Sequence, residues 1–219
     1  MASNNYTDLQ ANVALWLQRS DLTAVLPDMV ILCEKKINRF LRTLEMQATQ
    51  TTTSLTETTA LPTDFLEVVS LAISFSNVSV NPTFISPGRM DELKVVTPTV
   101  AAIPEYYTIR SGNVELFPKP QSGTSFTMTL IYEQRIVPLA TTATNWLLTN
   151  HWDVYFYGTL VEAEAFSRDD PRIGLWKQAY LDAIGEVKRM DSRKRFKGMT
   201  MDLGLPGIGP TPNTLSVTY

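Results

Sequence analysis

The stretch Thr144-Asn145-Trp146-Leu147-Leu148-Thr149-Asn150-His151 decides how the chain is read, because it stands where a β-rich middle gives way to a second helical segment. Trp146, Leu147 and Leu148 make a short apolar plug, and Asn150 occupies the position expected of a helix N-cap. An Asn side chain there accepts from a backbone N–H that the first helical turn leaves without a partner. Asp153 adds negative charge near the positive end of the helix dipole. Trp152, Phe156, Leu160 and Ala163 then recur on one helical stripe, with Val154, Tyr157 and Val161 on the next. A helix apolar around so much of its girth belongs at the centre of a fold.

Upstream, Leu9, Val13, Trp16 and Leu17 share one face of an amphipathic helix from about Thr7 to Gln18, with Thr7 or Asp8 to cap it. Asp21 starts a second helical piece, in which Pro27 is acceptable because an early N–H has no partner anyway. Met29, Cys33, Ile37, Phe40, Leu41 and Leu44 mark its inner face; Glu34, Lys35, Lys36, Arg39 and Arg42 mark a solvated one. Cys33 reads as a small buried hydrophobe.

The grammar changes after residue 47. Ala48 to Thr59 is crowded with threonine, which favours extended chain. Leu61-Pro62-Thr63-Asp64-Phe65 reads as a turn or a one-turn helix. Val69, Leu71, Ile73 and Phe75 then share one face of a strand, and Val78 to Ile85, broken by Pro82, belongs at a sheet edge. Ser86 and Pro87 start a short helix. Ser111-Gly112-Asn113 joins two strands in a tight hairpin in which Gly112 takes positive φ. Phe126, Met128, Leu130 and Tyr132 alternate inward against outward Thr127, Thr129 and Glu133. Five or six antiparallel strands, as a sheet or small barrel, are expected.

Beyond the central helix, Asp170 and Pro171 signal the start of a long last helix whose inner face carries Trp176, Ala179, Tyr180, Ala183, Val187 and Met190. Its end is basic: Lys188, Arg189, Arg193, Lys194, Arg195 and Lys197, with Phe196 among them. Such cations complement the helix dipole on a solvated end; alternatively they meet an acidic protein surface or DNA. From Gly198 the prolines and glycines exclude regular structure, yet Leu203, Leu205, Ile208, Leu215, Val217 and Tyr219 remain. That tail is either terminal disorder or a binding arm. The expected architecture is α+β: N-terminal helices (1–47), an inserted antiparallel β domain (48–143), C-terminal helices (144–197) completing a bundle, and an extended arm (198–219). Trp146, Leu147, Leu148, Phe156, Leu160 and Trp176 are its expected core.

Composition bounds the chemistry. The 219 residues are 44% hydrophobic and 19% charged, as in an ordinary folded chain, and the net charge of −3 argues against a whole-surface nucleic-acid binder. One cysteine allows no internal disulfide, and neither a signal-peptide pattern nor a membrane-length apolar run is present, so a soluble protein made in a reducing cytosol is expected. His151 is the single histidine, which rules out a multi-histidine metal site and suits helix-start packing better than a triad lacking a G-x-S-x-G elbow. The glycines of 204–209 lack the Lys-Ser/Thr of a phosphate loop, and Glu162 and Glu164, two apart on a helix, do not face each other. Glu115 and Glu133, if they faced across strands, could form the carboxylate pair of a cell-wall hydrolase. No catalytic residue, cofactor or metal is assigned.

These motifs, in this order, resemble the head-to-tail adaptor (connector) proteins of tailed bacteriophages. The resemblance rests on Leu61-Pro62-Thr63-Asp64-Phe65, Val114-Glu115-Leu116-Phe117-Pro118, Tyr132 to Leu139, and above all Asn145-Trp146-Leu147-Leu148. It continues through His151, Asp153, Tyr155, Tyr157-Gly158, Leu160, Glu162, Asp169-Asp170-Pro171-Arg172 and Leu175-Trp176. Trp152 departs from it, since relatives tend to carry proline there. The resemblance implies a structural virion protein that is not an enzyme. It would form a ring, dodecameric in the family, at the head–tail junction beneath the portal protein, and dock a tail or nozzle protein. Genomic DNA would pass through the lumen without sequence-specific contact, and no membrane would be involved. Assembly would take place in the host bacterial cytoplasm. The basic segment from Lys188 to Lys197 and the tail apolar residues are then candidate contacts with the portal or a neighbouring copy. A nozzle or stopper component, or a glycan-binding module, is the alternative role.

Overall fold

A computed structural model describes residues 5–19, 21–53, 56–76, 78–97, 101–121, 125–163 and 171–196. Its fold is α+β, with the helices packed about one apolar core and the strands about another. The first helix, α1 (Tyr6–Leu17), buries Leu9, Val13 and Leu17. It is capped by Asn5, whose side chain accepts from Asp8 N–H at 2.9 Å; this position, before Thr7 and Asp8, does the capping. Helix α2 (Leu26–Phe40) has Pro27 in its first turn and buries Met29, Cys33 and Ile37 as its spacing predicts. It stops at Phe40 instead of running on to Leu44: Leu41 is extended, and the Arg42 guanidinium donates to the Asn38 and Leu41 carbonyls at the open helix end. Phe40, at that last position, is 63% exposed, whereas Glu34 is buried, the reverse of the sequence expectation for both.

The organising stretch is helical and capped one turn earlier than expected. Helix α3 (Pro87–Val96) lies in the β region, so the stretch itself forms α4 (Trp146–Asn150), followed by α5 (Trp152–Glu162). Asn145 is the cap, accepting from Leu148 N–H at 2.9 Å, and Asn150 is the exposed last residue of α4. Leu147 and Leu148 are wholly buried and Trp146 only half-buried. His151 joins the two helices, its N–H donating to Leu147 O at 2.7 Å and its ring edge-on to Trp146. Trp152, where proline was expected from the resemblance, is the first residue of α5, a position at which proline needs no N–H partner; here the indole instead packs on Phe156.

Helix α5 is central as expected, packing against α1, α2, α4 and the final helix, α6 (Ile173–Arg195). The closest approach falls at Gly158. A Cβ built there would sit 2.4 Å from Cys33 Sγ and 2.9 Å from the Tyr180 ring, so only glycine lets α2, α5 and α6 meet. Burial pushes the Cys33 thiol up, as suits an inert core residue. On α6, Trp176, Ala183 and Val187 are buried as expected; Met190 is 40% exposed, and Ile184 and Asp191 are buried instead. Pro171, expected in the first helical turn, instead lies two residues before the first helical residue, Ile173, and Asp170 lies outside the described residues.

The middle of the chain forms eight strands in two four-stranded sheets among the described residues, against the five or six expected as a sheet or small barrel. One has the order β1-β8-β3-β4, from β1 (Gln47–Thr53), β8 (Thr127–Gln134), β3 (Phe65–Phe75) and β4 (Val78–Val80), all antiparallel. The other has the order β2-β7-β6-β5, from β2 (Thr58–Ala60), β7 (Asn113–Phe117), β6 (Tyr106–Arg110) and β5 (Thr83–Phe84), with β5 parallel to β6. Phe126, Met128, Leu130, Tyr132, Leu71 and Ile73 from the first share a core with Tyr107, Val114 and Leu116 from the second. Pro82 separates β4 from β5, and each ends up at a sheet edge. The hairpin turns on Ser111 and Gly112, both at positive φ, closed by the Arg110↔Asn113 pair. Ser86 caps α3 through Arg89 N–H.

Two β residues differ in burial from what alternation predicts. A register shift between Val68 and Ser70 turns Val69 out, leaving it 46% exposed while Val68 packs on the core. Glu133 does lie on the face opposite Tyr132, but that face is covered near the helices: Arg42 Nε is 2.8 Å away, and Asp191 and Arg195 are close enough to shift its carboxyl.

Two mutational outcomes test this packing. Gly158→Ala should destabilise the protein by about 1–3 kcal/mol through overpacking against Cys33 and Tyr180, measured by urea unfolding; a neutral result would mean the three helices are free to separate. Leu148→Ala should cost about 2–5 kcal/mol, more than Trp146→Ala, because the leucine is enclosed and the indole partly solvated.

Candidate functional site

The sheets return the chain to the helices through residues 135–145, and this strap is pinned by polar side chains, Glu34 and Tyr155 buried and Asn38 and Asn145 partly so. Asn38 Oδ1 accepts from Ile136 N–H at 2.9 Å and Glu34 Oε1 from Leu139 N–H at 2.8 Å. Asn145 Nδ2 donates to Val137 O at 2.9 Å and to the Tyr155 hydroxyl at 2.8 Å, and that hydroxyl faces Glu34 Oε1 at 3.5 Å. Ile136 and Leu139 between these anchors are buried in the helical core. Tyr155 is fully enclosed; burial first, and the Glu34 charge second, push its phenol up. Asn145 and Tyr155 belong to the motif that sequence reading quotes. Glu34 and Asn38 carry no local signal, because their partners lie about a hundred residues away in sequence.

Beside this latch a groove of about 580 Å³ runs between α2 and the strap, floored by Ile31, Ile136, Val137 and Pro138 and edged by Lys35 and Arg135. Val137 is 44% exposed along it. A second, aromatic cleft of about 270 Å³ opens where Trp16 of α1 meets Trp152 and Tyr157 of α5. Its floor is the buried Phe156, edge-on to Trp16 at 5.0 Å. Further apolar side chains stand exposed on both parts of the molecule: Leu15 and Leu175 on helices, Val78 and Phe84 on edge strands.

The sequence-predicted basic segment divides in two. Asp191 is buried between Leu44 N–H, which it accepts at 2.7 Å, and Arg195 Nε at 2.6 Å. Lys194 pairs with Glu45. Asp191, held by Arg195 on its own helix, and Lys194 therefore fasten α6 to the turn Leu44–Met46 that leads into β1. Lys188, Arg189, Arg193 and Phe196 point to solvent, Arg189 with a 3.4 Å partner in Glu186. Lys197, Leu203, Leu205, Ile208, Leu215, Val217 and Tyr219 lie outside the described residues. Of the expected core, Leu147, Leu148, Phe156, Leu160 and Trp176 are buried.

The carboxylate pair does not form. Glu115 lies on β7, between β2 and β6, and Glu133 on β8, between β1 and β3, so they do not face across neighbouring strands. Each has its own cation: Lys94 and Arg110 hold Glu115, and Arg42 holds Glu133. Among the described residues no group of three His, Cys, Asp or Glu side chains is placed to hold a metal ion. No helix among them is long and apolar enough to cross a membrane.

The family model described as SU10 adaptor protein matches residues 4–201. No curated protein matches the chain.

Glu34 offers a titration test of the latch. Burial raises its carboxyl above the ordinary 4.5, while the Leu139 and Tyr155 donors pull the other way. With the folded value above the unfolded one, the stabilising contribution is complete below the ordinary value and is lost as pH rises through the raised one. Glu34→Gln keeps the acceptor oxygen and removes the ionisation. Its melting temperature should match that of the parent at about pH 4 and exceed it increasingly towards about pH 7. Parallel curves across that range would mean the buried charge is not strained.

Proposed function

We propose, from the premise that the chain belongs to the SU10 adaptor protein family, a phage head-to-tail adaptor family, that it works as a closed ring beneath the portal vertex. The family match over residues 4–201 carries this reading. In it the helices of 1–47 and 144–197 form the bundle, 48–143 is an inserted β domain, and 198–219 is an arm. A ring closes when one face of each copy fits a different face of the next. The exposed apolar residues support that requirement, because they lie on helices α1 and α6 as well as on edge strands β4 and β5.

Contact with the portal or a neighbour is assigned to Lys188, Arg189, Arg193 and Phe196 together with Lys197 and the arm residues Leu203, Leu205, Ile208, Leu215, Val217 and Tyr219. Lys194 and Arg195 are withdrawn from that surface, since both already hold acids of their own chain. The cations steer docking onto an acidic partner, and apolar burial in the arm offsets its ordering entropy. The tail or nozzle protein docks on the far side of the ring. DNA passes a lumen poor in exposed Lys and Arg, because each neutralised phosphate would tighten a grip that has to release. The role is structural, at the head–tail junction, and involves no catalysis.

Electron microscopy of the purified chain mixed with its portal protein tests the reading. Closed rings on the portal are expected, and removing residues 198–219 should leave a cooperatively unfolding protein that assembles poorly. A chain that stays monomeric beside the portal, or that binds glycan without it, would overturn the assignment.

A further inference from the structure

We propose that the aromatic cleft between α1 and α5 receives the basic end of α6 from a second copy of this chain. Two different surfaces of one molecule would then make the heterologous contact that a ring needs. The proposal rests on the assembly reading and deepens it: between portal and neighbour, it selects the neighbour for Arg189, Arg193 and Phe196. The cleft presents ring faces. Trp16 is 42% exposed, and the half-buried Trp152 and Tyr157 complete the walls over Phe156. Its described lining carries no charged side chain. Asp153 follows Trp152 by one residue and precedes Tyr157 by four, which places it between them around α5. It has no ion-pair partner among the described residues. Aromatic faces with an acid beside them attract a guanidinium group. Arg172, which donates to Trp16 O at 3.2 Å, lies over the Trp176 ring and is not part of the lining.

The other half of the contact is a helical face. Arg189, Met190 and Arg193 share one exposed side of α6, and Phe196 follows at its end, with Met190 40% and Phe196 65% exposed. Glu186 lies on the same side and holds Arg189 at 3.4 Å, whereas Arg193 has no acidic partner among the described residues. A face of this kind suits an aromatic cleft: the guanidinium groups take the ring faces, and Met190 and Phe196 add thioether and edge contacts. The two surfaces cannot meet within one molecule. Arg172, bonded to the cleft residue Trp16, precedes Arg189 by 17 residues and Arg193 by 21. At about 1.5 Å per residue the cations stand roughly 25–32 Å further along the helix, beyond the reach of an arginine side chain. Each copy therefore carries a receptor near one end of α6 and its ligand at the other, as a contact between unlike faces requires.

The test mixes two populations of the full chain with the portal protein, one Asn12→Cys in the cleft and one Met190→Cys on α6, the second carrying a size tag. The native Cys33 is silent, being buried with its thiol pushed up. A short bismaleimide should join tagged to untagged chains, and neither population should cross-link to itself. Arg189→Glu with Arg193→Glu in the tagged chain should lose most of the product, with an unchanged melting curve because both side chains are exposed. Asp153→Lys in the untagged chain should then bring it back. Cross-links within one population, insensitivity to the charge changes, or a loss without recovery would overturn the proposal. Rings are scored in the same samples by electron microscopy. Rings without the mixed cross-link overturn this contact and leave the assembly reading standing; the mixed cross-link without rings upholds the contact and overturns the ring. With neither, both fall.

Discussion

One amide side chain, that of Asn145, joins three parts of the molecule. Its oxygen caps α4, and its nitrogen is shared between a strap carbonyl and the Tyr155 hydroxyl inside the helical core. Through Tyr155 and Glu34 the same set of bonds reaches α2 and returns to the strap at Leu139. A polar set of this kind, buried at Glu34 and Tyr155, is sensitive to the loss of any member, because the partners left behind are in a low-dielectric interior. It fixes the path of residues 135–145, and with it the placement of the sheets on the helices. No substitution that merely preserves hydrophobicity could do the same, since apolar contact has no preferred direction.

Apolar packing sets the distance between helices where the polar latch sets direction. Gly158 brings α5 against Cys33 and Tyr180 at a spacing that a single methyl group would break. Phe156, two residues earlier, collects Trp16, Trp152 and Tyr157 around its ring. The Tyr157-Gly158 pair quoted from the sequence thus has a physical meaning: an aromatic edge on one side and a backbone close approach on the other. At the far end of α6 the same helices are held to β1 by Asp191 and Lys194, so cations that look free in the sequence are already engaged.

How far the fold could be read depended on how local its signals are. Ser86-Pro87, the Ser111-Gly112 turn and the alternation from Phe126 to Tyr132 each act through neighbours in sequence, and each forms where expected. Asn150 fits an N-cap on local pattern alone; Asn145 is the cap of the plug helix, and the two acceptors that hold its amide nitrogen, Val137 O and the Tyr155 hydroxyl, lie outside that helix. Glu34 sits in a charged run that reads as solvated, and the backbone N–H that meets it in the interior comes from the strap. Val69 turned out because one extra residue in β3 shifts the register, which alternation alone cannot register. For the candidate contacts, the sequence located the basic helix end but could not say which cations the turn before β1 would claim.

The strands that open and close the β region are immediate neighbours: Gln47, entering, pairs with Glu133, leaving. A chain that departs and comes back through adjacent rungs of one ladder makes a closed excursion. Its outer strands and hairpins can then lengthen, shorten or be exchanged while the two attachment points keep their spacing. Evolution, or an engineer, has in that ladder a socket: one helical chassis able to accept differently shaped heads.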